Sequence, residues 1–422
     1  MTPNLPRRPA ERRGLRLWPV GTVLTLTFAT AIAVAAAVFF AGWDLLGAQG
    51  LKPEPRLTSS TLFDLVKLSF GVVAGAGALV ALVVAYRRQR VDEDGALRDA
   101  TRLHTERFTT AVSQLGEESA AVRLGGVHAL AGLADDAPTR DLRQTCIDVL
   151  CAYLHLPYTA EADLPSGDAD ARHAYLALRE VRHTVIRLIR DHLRLTPEHP
   201  HSWQGHDLDF TGVVFDGGDF SGARFSGGTV DFSRAAFSGG TVDFSRAAFS
   251  GGTVDFSRAA FSGGMVDFDR AAFSGGTVAF NHVAFSGGTV TFDYARFSGG
   301  PVTFDRARFS GGTVDFSRAR FSGSLVDFGS AAFSGGTVTF DRARFSGGMV
   351  DFSSASFYDG TVRFDRAEFS GGMVDFVDTR LSGGTVDFSD ADGLAPSGLV
   401  PSGGQPLPTG LSLPQAWCPP TR

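Results

Sequence analysis

Residues 225–260 read FSGGTVDFSRAAFSGGTVDFSRAAFSGGTVDFSRAA, which is three identical copies of a 12-residue unit. The same unit continues, with substitutions at some positions, as far as Phe388. A repeat of fixed period predicts an architecture in which each unit packs mainly against its neighbours. We therefore expect residues 203–392 to form a solenoid and not a globular domain.

Two Phe registers run through this repeat. One contains thirteen Phe at 12-residue intervals, and the other contains fourteen, each with a Val two residues before it. Such constancy at large apolar positions is what a packed interior requires. The residues predicted to form this solenoid core are Phe225, Val230, Phe232, Phe237, Phe244, Phe249, Phe256 and Phe261.

The start of the repeat is simpler, because Phe210, Phe215, Phe220 and Phe225 are five residues apart. One large apolar residue in every five, with a small residue two places before it, resembles the pentapeptide-repeat proteins. The resemblance implies a right-handed β-solenoid. The 12-residue unit then corresponds to two pentapeptides with a two-residue Gly-Thr insert.

The number of units per coil follows from the volume of the interior. A coil of one unit would enclose two Phe, one Val and one Ala, too much for a two-sided ribbon at normal packing density. A coil of two units, 24 residues, encloses four Phe, two Val and two Ala in a rectangle. The sequence thus predicts about seven coils and a length on the order of 35 Å.

The outward positions form the candidate interaction surface. We expect one track of acidic residues (Asp231, Asp243 and Asp255) and one track of basic residues (Arg234, Arg246 and Arg258). Later units change these outward positions while the inward ones are kept. Any specificity is therefore expected in the outward residues, or in the helices that precede the repeat.

Two uncharged apolar stretches precede the repeat, Leu17–Trp43 and Leu68–Tyr86. Each is long enough to cross a bilayer. Because Arg residues concentrate in the basic tail 1–16 and directly after Tyr86, the positive-inside rule predicts a hairpin over residues 17–90 with both chain termini in the cytoplasm. The chain is thus expected to be a multi-pass protein of the inner (plasma) membrane. A cleaved signal peptide is the alternative for the first stretch, although its apolar segment is longer than usual.

Residues 91–200 show apolar residues at helical spacing, which predicts helices over 102–115, 120–133, 140–154 and 172–195. The strings Arg107-Phe108 to Leu115-Gly116 and VRLGGVHAL, residues 122–130, resemble the HEAT-like segment of bacterial membrane proteins with pentapeptide repeats downstream. That resemblance implies a scaffold or signalling role and supplies no catalytic residues.

The repeat contains no nucleophile and base at a spacing that serves catalysis, so we expect no enzyme, no cofactor and no metal site. Cys146 and Cys151 near His155 match no usual zinc spacing and are interpreted as buried apolar cysteines. The expected role is a non-catalytic protein-interaction or scaffold module. Its expected partners are the lipid bilayer, an unknown protein and, in a homo-oligomer, further copies of the chain.

The resemblance to pentapeptide-repeat proteins, which include inhibitors that imitate DNA, implies an alternative function, the mimicry of DNA to regulate an enzyme such as gyrase. Residues 207–392 carry 22 Asp and one Glu against 15 Arg, a net charge of −8. The interspersed Arg residues argue against a surrogate of a uniformly charged duplex, and nucleic acid itself is not an expected partner. A solenoid outside the cell would need the reverse membrane topology. Residues 393–422, rich in Pro and Gly, are expected to be a disordered tail.

Overall fold

A computed structural model describes residues 20–45, 58–400 and 406–418. The predicted basic tail, 1–16, lies outside these residues. The chain divides into two compact units, Met1–Ala100 and Thr101–Arg422, which are described separately.

The first unit contains helix α1 (Val20–Leu45) and most of helix α2 (Ser59–Leu115). Among the described residues, α2 is the helix that is long and apolar enough to cross a membrane, and α1 contributes a shorter apolar stretch, Phe28–Ala41. The predicted hairpin of two spans is therefore not confirmed. The structure supports one candidate span, in α2. The apolar stretch Leu68–Tyr86 and the helix predicted over 102–115 belong to one element, because α2 runs without interruption from Ser59 to Leu115.

The second unit begins with a helical domain formed by the end of α2 and by α3 (Ala120–Asp135), α4 (Arg140–Leu154) and α5 (Ala169–Arg194). Helix α5 begins earlier than predicted because the Asp168 side chain accepts a hydrogen bond from the backbone NH of Ala171. Gly126 permits the close approach of α3 to α2, since a Cβ there would lie 2.9 Å from the carbonyl oxygen of Ala111.

The solenoid consists of two parallel sheets, called side A and side B, that the chain visits in turn. The strands of side A are Leu208–Asp209, Arg224–Asp231, Ala248–Asp255, Ala272–Ala279, Arg296–Phe297, Val302–Thr303, Arg320–Asp327, Arg344–Asp351, Glu368–Asp375 and Asp392–Gly393. The strands of side B are Val214–Phe215, Gly218–Asp219, Ala236–Phe237, Thr241–Asp243, Ala260–Phe261, Met265–Asp267, Ala284–Phe285, Thr289–Thr291, Arg308–Phe309, Thr313–Asp315, Ala332–Thr339, Ser356–Arg363, Arg380–Leu381, Thr385–Asp387 and Leu411–Ser412.

The register confirms the coil of 24 residues, because Phe225 pairs with Phe249 on side A and Phe237 with Phe261 on side B. The rings of successive coils stack nearly parallel, as for Phe232 and Phe256 with centroids 4.7 Å apart. All eight predicted core residues are buried. Along side A, nine described strands follow one another, which makes about eight coils where the sequence predicted about seven.

The Gly pair of each unit lies where successive coils come closest. At Gly252, φ is +70° and a Cβ would lie 2.3 Å from the carbonyl oxygen of Gly228. Both the left-handed backbone and the close approach therefore require glycine. This explains why the pair recurs in most units although it contributes nothing to the aromatic core.

Both ends of the stack are covered. Helices α4 and α5 pack on the first coil, and a segment near the C-terminus covers the last one. There, Leu411 pairs with Val386, and the buried ring of Trp417 lies 5.5 Å from that of Phe369 and donates a hydrogen bond to the carbonyl oxygen of Gly393. The expectation of a disordered tail over 393–422 is therefore wrong for its described residues, which protect the open edge of the sheets.

Candidate functional site: the two edges of the solenoid

The chain passes between the two sides at two edges, and each edge turn presents an outward residue. The turns from side A to side B, called the AB edge, comprise 232–235, 256–259, 280–283, 304–307, 328–331, 352–355 and 376–379. The turns from side B to side A, called the BA edge, comprise 244–247, 268–271, 292–295, 316–319, 340–343 and 364–367. Since a coil holds two units, successive units contribute their turns to opposite edges.

Each edge turn has the same geometry. At the first one, the NH of Ala235 donates to the carbonyl oxygen of Phe232 over 3.1 Å. The side chain of Asp231 accepts a hydrogen bond from the backbone NH of Ser233 over 2.7 Å. Arg234, at the third position, has φ of 59°, which turns of this kind ordinarily assign to Gly or Asn.

The Asp residues of the predicted surface ladder are therefore turn-forming residues. Asp231, Asp243 and Asp255 each bind the backbone NH two residues later. Thr291 replaces Asp in a later unit and accepts the same bond with its hydroxyl group. The expectation of a single acidic track is also wrong, because Asp231 stacks on Asp255 whereas Asp243 stacks on Asp267 at the other edge.

We expect Asp255→Ala to lower the free energy of unfolding by about 1 kcal/mol, because it leaves the NH of Ser257 without its acceptor. Asp255→Thr should retain most of the stability, as Thr291 does naturally. Denaturant unfolding of the full chain in detergent measures both. Equal loss in the two variants would contradict the turn-forming role.

The Arg residues of the predicted ladder occupy a different kind of position. Arg234, Arg246 and Arg258 are exposed and have left-handed backbone conformations. Thirteen described non-glycine residues share this conformation, one per unit, and eight of them are Arg. They form two columns. On the AB edge the column is Arg234, Arg258, His282, Arg306, Ser330, Ser354 and Asp378, and on the BA edge it is Arg246, Arg270, Tyr294, Arg318, Arg342 and Arg366.

The BA column contains a cation–π sandwich. The guanidinium groups of Arg270 and Arg318 lie 5.2 and 5.0 Å from the ring centroid of Tyr294. Arg318 also bridges to Asp293 over 3.0 Å, and partial burial raises the pKa of that carboxyl group even though Arg318 lowers it. The edge therefore presents guanidinium groups in fixed positions, one in most coils.

A second cluster joins the helical domain to the first coil. The hydroxyl groups of Tyr158 and Tyr175 donate to one oxygen of the buried Asp216 over 2.5 and 2.6 Å. Arg182, also buried, donates to the carbonyl oxygens of Leu154 and Val214 and lies 4.1 Å from the Tyr158 ring. Because both tyrosine hydroxyl groups and both terminal nitrogens of Arg182 have acceptors within the protein, the cluster fixes the helical domain on the solenoid.

Burial tends to raise the pKa of Asp216, but the nearby imidazole of His183 and the two tyrosine hydroxyl groups outweigh it and lower the pKa to about 2. His183 Nε2 lies 3.9 Å from the carboxylate, beyond hydrogen-bond distance, so its effect is mainly electrostatic. Burial and the bond to Asp216 raise the pKa of Tyr175 to about 12. The carboxylate is thus the charged partner of two neutral hydroxyl groups.

The lowered pKa of Asp216 makes the junction sensitive to acid. Its contribution is fully present above about pH 4, where the carboxyl group is ionised in both the folded and the unfolded chain, and is lost as pH falls towards 2. We expect it to amount to about 2 kcal/mol. Thermal melts of the wild type and of Asp216→Asn between pH 2 and pH 6 should converge at the acidic end. A constant difference would contradict this.

Sequence reasoning missed this junction. The three partners of Asp216 lie 33 to 58 residues away in the chain, at no recognisable spacing. The available signal was a departure from the repeat, because Asp216 and Gly217 follow Phe215 where later units have Ser-Gly. Gly218 is needed in addition, since a Cβ there would lie 3.0 Å from Ile186 of α5.

The cysteines are placed as predicted, with Cys146 and Cys151 buried in the helical domain. Burial raises their pKa to about 11 and about 12, which makes them poor nucleophiles. Nowhere in 20–45, 58–400 and 406–418 do three His, Cys, Asp or Glu side chains converge as metal ligands would.

The architecture defines a class of protein, a parallel β-solenoid of 24-residue coils that is capped at its start by a helical domain. Comparison with known protein families, curated proteins and solved structures found no match to this chain. The functional interpretation therefore depends on the geometry of the edges and the junction.

Proposed function

We propose that the chain is a non-catalytic scaffold, anchored in the inner membrane, whose solenoid edges bind protein partners on the cytoplasmic side. The left-handed conformation of the exposed Arg columns carries this proposal. A left-handed non-glycine residue costs about 1 to 2 kcal/mol. Unfavourable backbone retained at an exposed position, in unit after unit, is typical of residues kept for their side chains.

The membrane anchor is supported by the apolar surface of the first unit. The side chains of Leu68, Phe70 and Val73 in α2 are 68–71% exposed, and those of Phe39 and Phe40 in α1 are 60% and 68% exposed. A contiguous apolar surface of this kind is stable against lipid and not against water. The hairpin topology, with both termini in the cytoplasm, remains part of the proposal on the strength of the Arg distribution.

In-cell crosslinking of the full-length protein, followed by mass spectrometry, tests the scaffold. We expect proteins other than this chain to be recovered, and to be lost when the exposed column residues Arg234, Arg246, Arg258, Arg342 and Arg366 are replaced by Asn. A control with Arg172→Asn and Arg187→Asn, two exposed residues of α5, should retain them. Recovery of self-crosslinks alone would overturn the scaffold proposal.

The unfavourable left-handed backbone of these Arg residues also predicts that some substitutions stabilise the chain. We expect Arg258→Asn to raise the free energy of unfolding by about 1 kcal/mol, because Asn tolerates the left-handed backbone better than Arg. The matched control is Arg296→Asn, which changes an exposed Arg outside the left-handed positions and should not stabilise the chain. Denaturant unfolding midpoints in detergent measure the difference, and a destabilised Arg258→Asn would contradict the strain argument.

DNA mimicry is less favoured by the geometry. Eleven of the 22 Asp side chains in residues 207–392 are engaged in turns, each accepting a hydrogen bond from the backbone NH two residues later. Seven of the eight left-handed Arg side chains are exposed among these Asp residues. A DNA surrogate should expose the opposite pattern. Inhibition of gyrase supercoiling by the full chain would favour mimicry over the scaffold.

A further inference from the structure

The two edges differ in the C-terminal half of the solenoid. Up to Arg306 the left-handed positions of both edges hold Arg, His or Tyr. After it they alternate along the chain, in the order Arg318, Ser330, Arg342, Ser354, Arg366 and Asp378. Because successive units lie on opposite edges, this alternation places every one of these Arg on the BA edge and none on the AB edge.

Neighbouring residues strengthen the difference. Residues 315–320, 339–344 and 363–368, at the BA edge, carry six Arg against four acids, a net charge of +2. Residues 327–332, 351–356 and 375–380, at the AB edge, carry four Asp and one basic residue, Arg380, a net charge of −3. A chain that is acidic as a whole thus presents one basic and one acidic edge over the same coils.

Part of the basic edge is not neutralised within the chain. Arg318 pairs with Asp293 over 3.0 Å and Arg344 with Glu368 over 3.2 Å. In the part of the chain that the structure describes, Arg342 and Arg366 form no such ion pair, and both are exposed. These guanidinium groups are available to an acidic partner surface.

The spacing of the charges indicates which partner fits. The NH groups of Arg318 and Arg342 bond to the next coil, and the rings beneath them, Phe316 and Phe340, are 4.9 Å apart. A second copy, lying parallel, presents its acidic edge with the same rise per coil. An α-helix rises about 5.4 Å per turn, and alternate residues of a strand are about 6.6 Å apart, so neither matches several coils in succession.

We propose that copies of this chain associate side by side, with the basic BA edge of one solenoid on the acidic AB edge of the next. The inference rests on the proposed function, in that membrane anchoring would hold the copies in the same orientation and raise their effective concentration. Each contact is between unlike surfaces, so association extends as a row and does not close as a two-fold dimer.

Energy transfer between labelled full-length proteins in neutral phosphatidylcholine vesicles tests the inference. Maleimide dyes attach at the exposed Cys418, because Cys146 and Cys151 are buried. Variant one, Arg342→Glu with Arg366→Glu, makes both edges acidic. Variant two, Ser330→Arg, Ser354→Arg and Asp378→Arg, changes the net charge of the three AB-edge segments from −3 to +1, with a residue that Arg306 shows the turn to accept.

Each variant alone is expected to associate at least about tenfold more weakly than the wild type, because like charges then face each other. A mixture of the two should regain wild-type transfer, since unlike edges are restored at both contacts. A control, Arg172→Glu with Arg187→Glu, makes the same change of charge on helix α5, outside both edges, and should associate normally. High salt should weaken wild-type association.

Unchanged association in either variant, or no recovery in the mixture, would overturn the inference. The self-association of copies can fail while crosslinking still recovers other proteins, and the scaffold proposal then stands. Self-association can also hold when crosslinking recovers this chain alone, which removes the scaffold proposal. Failure of the protein to float with vesicles would remove the membrane anchor, and detergent-free sedimentation of the same variants would then decide self-association.

Discussion

Phe268→Ala is expected to lower the free energy of unfolding by about 3 to 5 kcal/mol. Phe268 is fully buried, and its ring stacks on Phe244 at 4.9 Å and on Phe292 at 4.8 Å. The ring also meets Phe256 and Phe280 edge to face, so that truncation leaves a cavity bordered by four aromatic rings. Because every coil repeats this arrangement, little rearrangement is available to fill it.

The matched control is Phe268→Leu, which keeps most of the volume and should cost about 1 kcal/mol. Leu381 shows that a unit tolerates leucine at one of the inward positions. Denaturant unfolding of the full chain in detergent, followed by circular dichroism, measures both variants. A loss below about 1 kcal/mol for the alanine variant would contradict a continuous aromatic core.

Arg182→Met is expected to cost a similar amount, about 3 to 5 kcal/mol, at the junction of the helical domain and the solenoid. The side chain is 3% exposed, and its two terminal nitrogens each donate over 2.7 Å, one to Leu154 in α4 and the other to Val214 in the first coil. Methionine would fill the space but leave two buried carbonyl oxygens without donors, and Asp216 without a nearby cation.

Arg187 supplies the control for this prediction, since it lies on the same helix but is exposed. Arg187→Met should change the free energy of unfolding by less than about 0.5 kcal/mol. Limited proteolysis offers a second measurement, because loss of the junction should expose the chain between α5 and the first coil. Equal effects of the two substitutions would contradict the role assigned to Arg182.

The repeat was predictable from sequence because its information is local and redundant. One Phe register and one volume argument suffice for the 24-residue coil, and the eight inward residues follow from it. A coil of two units also places successive units on opposite edges. The Asp and Arg residues were nevertheless each expected to form a single column, and they form two. Their roles were also not separable by sequence, since only backbone geometry shows Asp231 to be a turn former and Arg234 to be left-handed.

The ends of the solenoid were not predictable. Asp216 meets Tyr158 and Tyr175 across a fold that no spacing encodes, and Trp417 reaches the last coil from a Pro-rich and Gly-rich segment whose composition is typical of disorder. Only tertiary packing makes such a segment ordered. The continuity of α2 was missed for the opposite reason, since a change from apolar to charged composition ends a membrane span without ending a helix.

The edge proposals depend on successive units lying on opposite edges, and disulfide formation between engineered cysteines tests this most directly. In a Cys418→Ser background, Arg234→Cys with Arg258→Cys places two residues 24 apart in adjacent coils, whose separation of about 4.8 Å suits a disulfide. Arg234→Cys with Arg246→Cys, 12 apart, places them on opposite edges. The account predicts that mild oxidation links the first pair within one chain and not the second. Linkage of the second pair would contradict it.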